Sequence, residues 1–309
     1  MTQILKIGTR GSELALWQAR HVAKLIEETS GIKSELTIIK TSGDMILDRP
    51  LSDVGGKGLF VKEIEEALLS HQVDLAVHSM KDVPAEMPDG LILGVTMERE
   101  DPRDVFVSLN YPNLRSLPTG AKIGTSSLRR VSQVRRIRPD LVIVPVRGNV
   151  GTRLRKLEEG LVDALLLAGA GMKRLGLEHK ITEWIAVSDL LPAIGQGALG
   201  LEYREHDNFT SSLASKLFHQ ETHIAVSAER GVMKSLAGGC QLPVAAYATV
   251  KRSGWVQLEA RVMSLNGDRV LTEKVTGPSE EATELGLAIG QTLLEKGGKE
   301  ILDEIRLGS

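Results

Sequence analysis

One cysteine, Cys240, in 309 residues excludes an intramolecular disulfide and fits a reducing compartment. Aromatic side chains are also scarce, at 3%, which removes the stacking platforms that single-stranded nucleic acid requires. Neither sign of charge dominates: 38 Lys and Arg against 40 Asp and Glu leave −2. There is therefore no basic coat for nucleic acid or for an anionic membrane surface. The longest apolar run, about Ala164 to Met172, is far too short to cross a bilayer. Met1 to Gly8 lacks a basic segment followed by an apolar one, so no secretory signal and a cytoplasmic location are expected. The Gly-x-x-x-x-Gly-Lys-Ser/Thr phosphate loop is missing, and no Cys or His grouping has metal-ligand spacing. The sequence also lacks low-complexity segments and short-period repeats. With 25% charged and 42% hydrophobic residues, the expected class is a soluble globular protein of two or three domains.

Against these absences stands a repeated phrase. Ile7-Gly8-Thr9-Arg10 leads from an apolar strand into a helix beginning near Ser12, and Ile123-Gly124-Thr125 enters a helix whose first turn carries Arg129 and Arg130. Lys57-Gly58 and Arg147-Gly148 each open another helix; these end in Val73-Asp74 and Val162-Asp163, each followed by an apolar strand. A helix N-terminus already carries unpaired N–H groups and partial positive charge, so cations there are unfavourable unless an anion arrives. Four such ends predict a cleft for several negative groups.

Strand-like and helix-like segments alternate through residues 1–98 and again from Pro102 to Pro192, which predicts α/β sheets with ligands at strand C-terminal ends. Leu14, Trp17, His21, Val22, Leu25 and Ile26 keep helical spacing, as do Phe60, Ile64, Ala67 and Leu68. The helix after Thr125 places Leu128, Val131, Val134 and Ile137 on one face and leaves its arginines for solvent or ligand. The apolar run Ala198 to Leu201 is positioned to return to the first lobe. Beyond His219 come a helix to Leu236, strands Val244 to Val250 and Trp255 to Ser264, an Asn266-Gly267 hairpin and a helix from Ser279 to Glu295. The predicted domains are 1–98 with 198–216, 99–197, and an α+β domain, 217–309, carrying the thiol.

Arg129, Arg130, Arg147 and Arg153, with Arg10 and Lys57, form the candidate anion set, since a planar guanidinium grips an oxyanion bidentately. Hydroxyls of Ser12, Thr125, Ser126 and Ser127 can add bonds beside them. Asp82, just past a buried strand, is either a general acid/base or cation stabiliser, or else a structural ion pair with Lys81 or an arginine. His78, among apolar neighbours, reads as a packed core histidine. Cys240 follows two glycines; it is either a buried inert thiol or, near the arginines, a nucleophile or attachment point.

The motifs together resemble one family. Thr9-Arg10-Gly11-Ser12, Val54-Gly55-Gly56-Lys57-Gly58-Leu59-Phe60, His78-Ser79-Met80-Lys81-Asp82-Val83-Pro84 and Arg99-Glu100-Asp101-Pro102-Arg103-Asp104 carry the likeness. So do Gly124-Thr125-Ser126-Ser127-Leu128-Arg129-Arg130, Arg147-Gly148-Asn149-Val150-Gly151-Thr152-Arg153, Gly195-Gln196-Gly197 and Gly238-Gly239-Cys240-Gln241. This set is similar to the porphobilinogen deaminase (hydroxymethylbilane synthase) family of tetrapyrrole biosynthesis. The resemblance implies two α/β lobes like those of type II solute-binding proteins, plus the C-terminal α+β domain. It implies a dipyrromethane cofactor joined by a thioether to Cys240, to which four porphobilinogens are added with loss of ammonia. Each added ring brings an acetate and a propionate, and each departing amine leaves a cationic azafulvene.

On that likeness Asp82 is the catalytic aspartate. Cys240, Ser79, Lys81, Asp82, Thr125, Ser126, Ser127, Arg129, Arg130 and Gly148 are the implied cofactor residues. Arg10, Ser12, Lys57, Phe60, Arg147, Arg153 and Gln196 are the implied substrate residues. No metal is expected, the only partner is the small substrate, and the chain is expected to be monomeric. The glycines around Lys57 read as a mobile lid. Two other readings remain: a non-catalytic binder of a small polycarboxylate, and a phosphate-ester enzyme using the same helix ends.

Overall fold

The computed structural model describes residues 4–45, 61–236 and 242–307. Lys57, Phe60, Cys240 and the expected lid around Lys57 therefore lie outside the described residues. In chain order the elements are β1 (Leu5–Thr9), α1 (Glu13–Ser30), β2 (Ser34–Ile38), α2 (Ser42–Met45), α3 (Lys62–Leu69), β3 (Leu75–Ser79) and β4 (Leu91–Thr96). There follow β5 (Asp104–Ser108), β6 (Lys122–Gly124), α4 (Leu128–Ile137), β7 (Val142–Val144), α5 (Val150–Glu158), β8 (Ala164–Ala168), α6 (Gly169–Arg174), β9 (Glu183–Trp184) and β10 (Leu199–Arg204). The chain continues through α7 (Asn208–Ala214), α8 (Gln220–Ser235), β11 (Val244–Lys251), β12 (Trp255–Met263), β13 (Val270–Pro278), α9 (Ala282–Leu293) and α10 (Lys299–Leu307).

Two compact units emerge, Met1–Glu100 with Ala198–His223, and Asp101–Gly197 with Ile224–Ser309. The first holds a sheet ordered β2-β1-β3-β10-β4. Its first three strands are parallel, and β10 runs antiparallel to both β3 and β4. The expected return of Ala198 to Leu201 to the first lobe is thus observed. In the second unit the order β7-β6-β8-β5-β9 repeats the plan, with β5 antiparallel to both neighbours.

The rhyme between Asp74 and Asp163 has a structural cause. Asp74 accepts the Lys6 N–H through its side chain at 2.9 Å and returns its own N–H to the Lys6 carbonyl. Asp163 does the same with Lys122, accepting its N–H at 2.7 Å. A short acceptor here satisfies a backbone donor at the start of β1 and of β6, fixing where each parallel pair begins.

α1 buries Ala19, Val22 and Ile26 against its own sheet, with Gln18 buried beside them. The hydrophobic spacing predicted for α4 is also realised, Val131 and Val134 being buried.

The C-terminal part of the second unit has its own antiparallel sheet, β11-β12-β13, and a core of Ala228, Val232, Leu258, Val262 and Leu293 with their neighbours. The long helix expected from Ser279 to Glu295 ends sooner. A 3-10 turn precedes α9, and a π turn with Gly297 at φ +104° separates it from α10. α10 was not anticipated, although Ile301, Leu302 and Ile305 bury one face of it.

α8 and α9 touch backbone to backbone. A Cβ on Gly286 would overlap the Ala228 carbonyl oxygen and would lie 2.9 Å from the Gly231 Cα. Gly286→Ala is therefore expected to cost about 1–3 kcal/mol by forcing the helices apart. A lowered urea midpoint at unchanged slope is the measurement; an unmoved midpoint would show that this contact yields freely.

Candidate functional site

In the first unit, the turn after β3 and the start of α1 meet around one cavity. Arg10, Ser12, Gln18, His78, Ser79 and Asp82 supply its polar lining, with Leu14, Ala15, Val61, Ile64 and Val77 as apolar walls. Asp82 reaches it because β3 ends at Ser79 and a single 3-10 turn, Met80–Asp82, reverses the chain. Ser12 caps α1, its hydroxyl accepting the Ala15 N–H at 3.3 Å. Gln18 donates from Nε2 to the Ser79 Oγ at 2.9 Å, which pins the β3 end to the helix. The sequence brought Arg10, Ser12, Ser79 and Asp82 forward, and the fold gathers them. Lys81 is half-buried beside Asp82 in the chain and is not among the cavity's lining residues.

His78 is buried, as expected of a core histidine, but its surroundings are not only apolar. Its Nε2 lies 2.7 Å from Glu202 Oε2, and the side chains are 4% and 1% exposed. Glu202 on β10 was missed. Its signal was a charged residue inside the otherwise apolar run Leu199–Tyr203.

The second unit corrects one expectation. Expected to be left for solvent or ligand, Arg129 and Arg130 are instead 4% and 6% exposed and converge on Asp104, which is fully buried. Arg129 Nη1 donates to Asp104 Oδ2 at 2.7 Å, and Arg130 Nη2 donates to Oδ1 at 2.8 Å. The same Oδ1 accepts from the Gln196 amide at 2.9 Å, and that amide also reaches the Pro102 carbonyl at 2.7 Å. Arg129 and Arg130 further donate to the carbonyls of Leu191 and Leu166. The anion that makes this arginine-bearing helix start tolerable is therefore supplied by the chain itself. Hydrophobic patterning put the arginines off the apolar face correctly; only the packing of β5 against α4 revealed a buried carboxylate there.

Burial alone raises a carboxyl, but the charges of Arg129 and Arg130 and their hydrogen bonds outweigh it and hold Asp104 well below the usual carboxylate range. Burial in turn draws Arg129 below its ordinary value, opposed by Asp104. Two guanidinium groups on one carboxylate leave an excess positive charge. Arg129 Nε is a buried N–H without an acceptor.

Around the same helix start, Ser127 makes no side-chain cap. Thr125 Oγ1 accepts the Ser127 N–H at 3.2 Å, and Ser126 Oγ donates to the Val146 carbonyl at 3.1 Å. The next helix, α5, is capped by Asn149, which accepts the Thr152 N–H at 2.8 Å. Arg153 folds back so that its Nε donates to the Gly148 carbonyl at 2.8 Å. Arg147 and Arg153 are half-buried. Uncapped backbone N–H groups on α4, an orphan Arg129 N–H and surplus positive charge describe a place suited to carboxylates. Among the described residues no group of three His, Cys, Asp or Glu could hold a metal, and no helix is long and apolar enough to cross a membrane.

Comparison with known proteins adds to this geometry. The family model described as "Porphobilinogen deaminase, dipyromethane cofactor binding domain" matches residues 5–212. That described as "Porphobilinogen deaminase, C-terminal domain" matches residues 223–295. The chain is 52% identical over 306 residues to a porphobilinogen deaminase of Nitratidesulfovibrio vulgaris, covering 97% of this chain and 96% of that protein. It is 48% identical over 304 residues to that of Syntrophobacter fumaroxidans, covering 98% of each. For the Geobacter sulfurreducens protein of the same name the identity is 51% over 302 residues, covering 97% of this chain and 94% of that one. Among solved structures, the methionine binding protein MetQ aligns with 69% of this chain and 89% of its own at a TM-score of 0.43 and 14% identity.

Proposed function

Because the chain belongs to the porphobilinogen deaminase family, we propose that Asp82 is its catalytic carboxylate and that Cys240 carries its cofactor. The enzyme is a hydroxymethylbilane synthase: it joins four porphobilinogens head to tail, releasing ammonia at each addition, in tetrapyrrole biosynthesis. Its cofactor is dipyrromethane. When bound, the cofactor supplies the pyrrole on which the chain is built.

The residues present suit such a group. Two acetates and two propionates need cationic donors; the orphan N–H of Arg129, a residue in the first turn of a helix without a side-chain cap, is one such donor. We assign Arg129, Arg130, Thr125, Ser126, Ser127, Gly148, Lys81 and Ser79 to its carboxylates. Arg10, Ser12, Lys57, Phe60, Arg147 and Arg153 are assigned to the substrate; Gln196, expected there too, is instead buried, with its amide donating to Asp104 and to the Pro102 carbonyl. The amide of Gln196, held by Asp104 and Pro102, acts by holding the Arg129–Arg130 cluster in place.

One observation carries the catalytic assignment: Asp82 and Arg10 line one cavity. Arg10 attracts the substrate carboxylates there. When the carbon–nitrogen bond breaks, ammonia leaves with the electron pair and positive charge spreads onto the pyrrole nitrogen. A carboxylate beside that nitrogen lowers the energy of the charge as it develops. After the new carbon–carbon bond forms, a ring proton must depart, and Asp82 is the carboxylate of the cavity able to take it.

The domain division 1–98 with 198–216, 99–197 and 217–309 belongs to the same reading, as does a cytoplasmic monomer; the single cysteine supports a reducing compartment. Intact mass after denaturation tests the attachment. An adduct on the wild-type chain that disappears in Cys240→Ser is the expected result. Bare polypeptide mass from cells making tetrapyrroles would overturn it, and would favour a binder of small polycarboxylates.

A further inference from the structure

One buried polar pair beside the catalytic cavity has no part in the steps above. Glu202 lies on β10, between β3 and β4 in the sheet. In the β3–β10 register His78 stands opposite Gly200 and Glu202 opposite Ala76. His78 and Glu202 are therefore diagonal neighbours on one face of an antiparallel pair. Their contact, Nε2 to Oε2, is 2.7 Å. The second oxygen, Glu202 Oε1, is buried and has no hydrogen-bond partner. Glu65 on α3 also feels this carboxylate: burial first, then the Glu202 charge, pushes its carboxyl up, against the pull of His78.

A half-satisfied carboxylate inside a sheet is costly, and apolar side chains of the same size would stabilise the core better. The arrangement has a use, however. Nε2 is the ring nitrogen that meets Glu202, and a ring protonated there alone keeps a lone pair on Nδ1, as an acceptor. His78 is among the residues lining the cavity shared by Arg10, Gln18, Ser79 and Asp82. Within that lining Arg10 offers only donors, and the Gln18 Nε2 donates to the Ser79 Oγ. A ligand with a pyrrole N–H and an aminomethyl nitrogen needs acceptors, and among the described lining residues Asp82 alone supplies a carboxylate.

We propose that His78 is a second acceptor for a ligand N–H in this cavity, with Glu202 as the positioning residue that fixes its tautomer. The inference rests on the assignment of Asp82 to the same ligand.

Its test uses holoenzyme labelled with 15N-histidine in the Asp82→Asn background, where substrate binds with turnover slowed. The His78 signals are identified by their absence in His78→Gln. Without substrate, Nδ1 should resonate as an unprotonated ring nitrogen, and porphobilinogen should move it. An Nδ1 signal unchanged at saturating porphobilinogen overturns the proposal. If Asp82→Asn instead turns over like the wild type, the assignment of Asp82 is what fails.

Kinetics provide a second arm. His78→Phe leaves Glu202 alone in the sheet and can destabilise the fold, whereas His78→Phe with Glu202→Leu replaces both partners by apolar groups, which is close to neutral for stability. In the double variant kcat/KM should fall about tenfold, the scale of one lost hydrogen bond. An undiminished kcat/KM there also overturns the proposal.

Discussion

Asp104→Asn is expected to lower the unfolding free energy by about 3–5 kcal/mol, the cost of breaking a buried ion pair from one side. Two guanidinium groups, 4% and 6% exposed, would then share an interior with no counter-charge. The amide keeps the shape of the carboxylate but offers one acceptor where Oδ1 and Oδ2 now receive Arg129, Arg130 and Gln196. Urea unfolding followed by circular dichroism gives the number. A midpoint within error of the wild type would show that water reaches these arginines.

The same residue sets a pH dependence with a definite sign. The folded-state value of Asp104 is depressed by Arg129 and Arg130 despite burial, while an unfolded aspartate titrates near pH ~3.9. Its stabilisation is therefore fully present above about pH 4 and drains away as the pH falls toward the folded value. The stability gap between wild type and Asp104→Asn should accordingly narrow on acidification below about pH 4 and stay constant from there to neutrality.

Asp82→Ala should reduce turnover by about 100-fold or more, a loss of about 2.7 kcal/mol in the activation barrier. The reason is electrostatic. Positive charge develops on the substrate ring when ammonia departs, in a cavity whose other charged lining group singled out for the ligand is the cationic Arg10. Removing the carboxylate leaves that charge without a fixed partner. Single-turnover kinetics on protein whose adduct has been confirmed by mass separates this effect from loss of cofactor. Near-normal turnover with the cofactor in place would falsify the assignment. Asp82→Glu should recover part of the rate, because the charge returns at a shifted position.

Much of the site was legible before any coordinates. Arg10, Ser12, Ser79 and Asp82 were drawn together by motif, and the structure puts all four around one cavity. Ser12, marked in the sequence as the start of a helix, caps α1; Asn149, which was not singled out, caps α5 in the same way. Lys57, Phe60 and Cys240 fall outside the described residues. Arg129 and Arg130 show where pattern reading fails. The rule that arginines off an apolar stripe are left for solvent or ligand is a statement about one helix, and α4 is buried on more than one side. α10 was not anticipated: the helix was expected to stop at Glu295, whereas a π turn with Gly297 at φ +104° leads into a further helix.

The alternation of strand and helix, the repeated strand–helix starts and the residue types able to hold carboxylates are written in the local pattern of the chain. These follow from side-chain period and local hydrogen bonding, which act over a few residues. Which charge meets which is set by packing in three dimensions. Asp104 sits 25 residues from Arg129, and His78 sits 124 from Glu202. Such pairings depend on sheet order and strand register, and an electrostatic partner is chosen by distance in space, which a linear pattern does not encode.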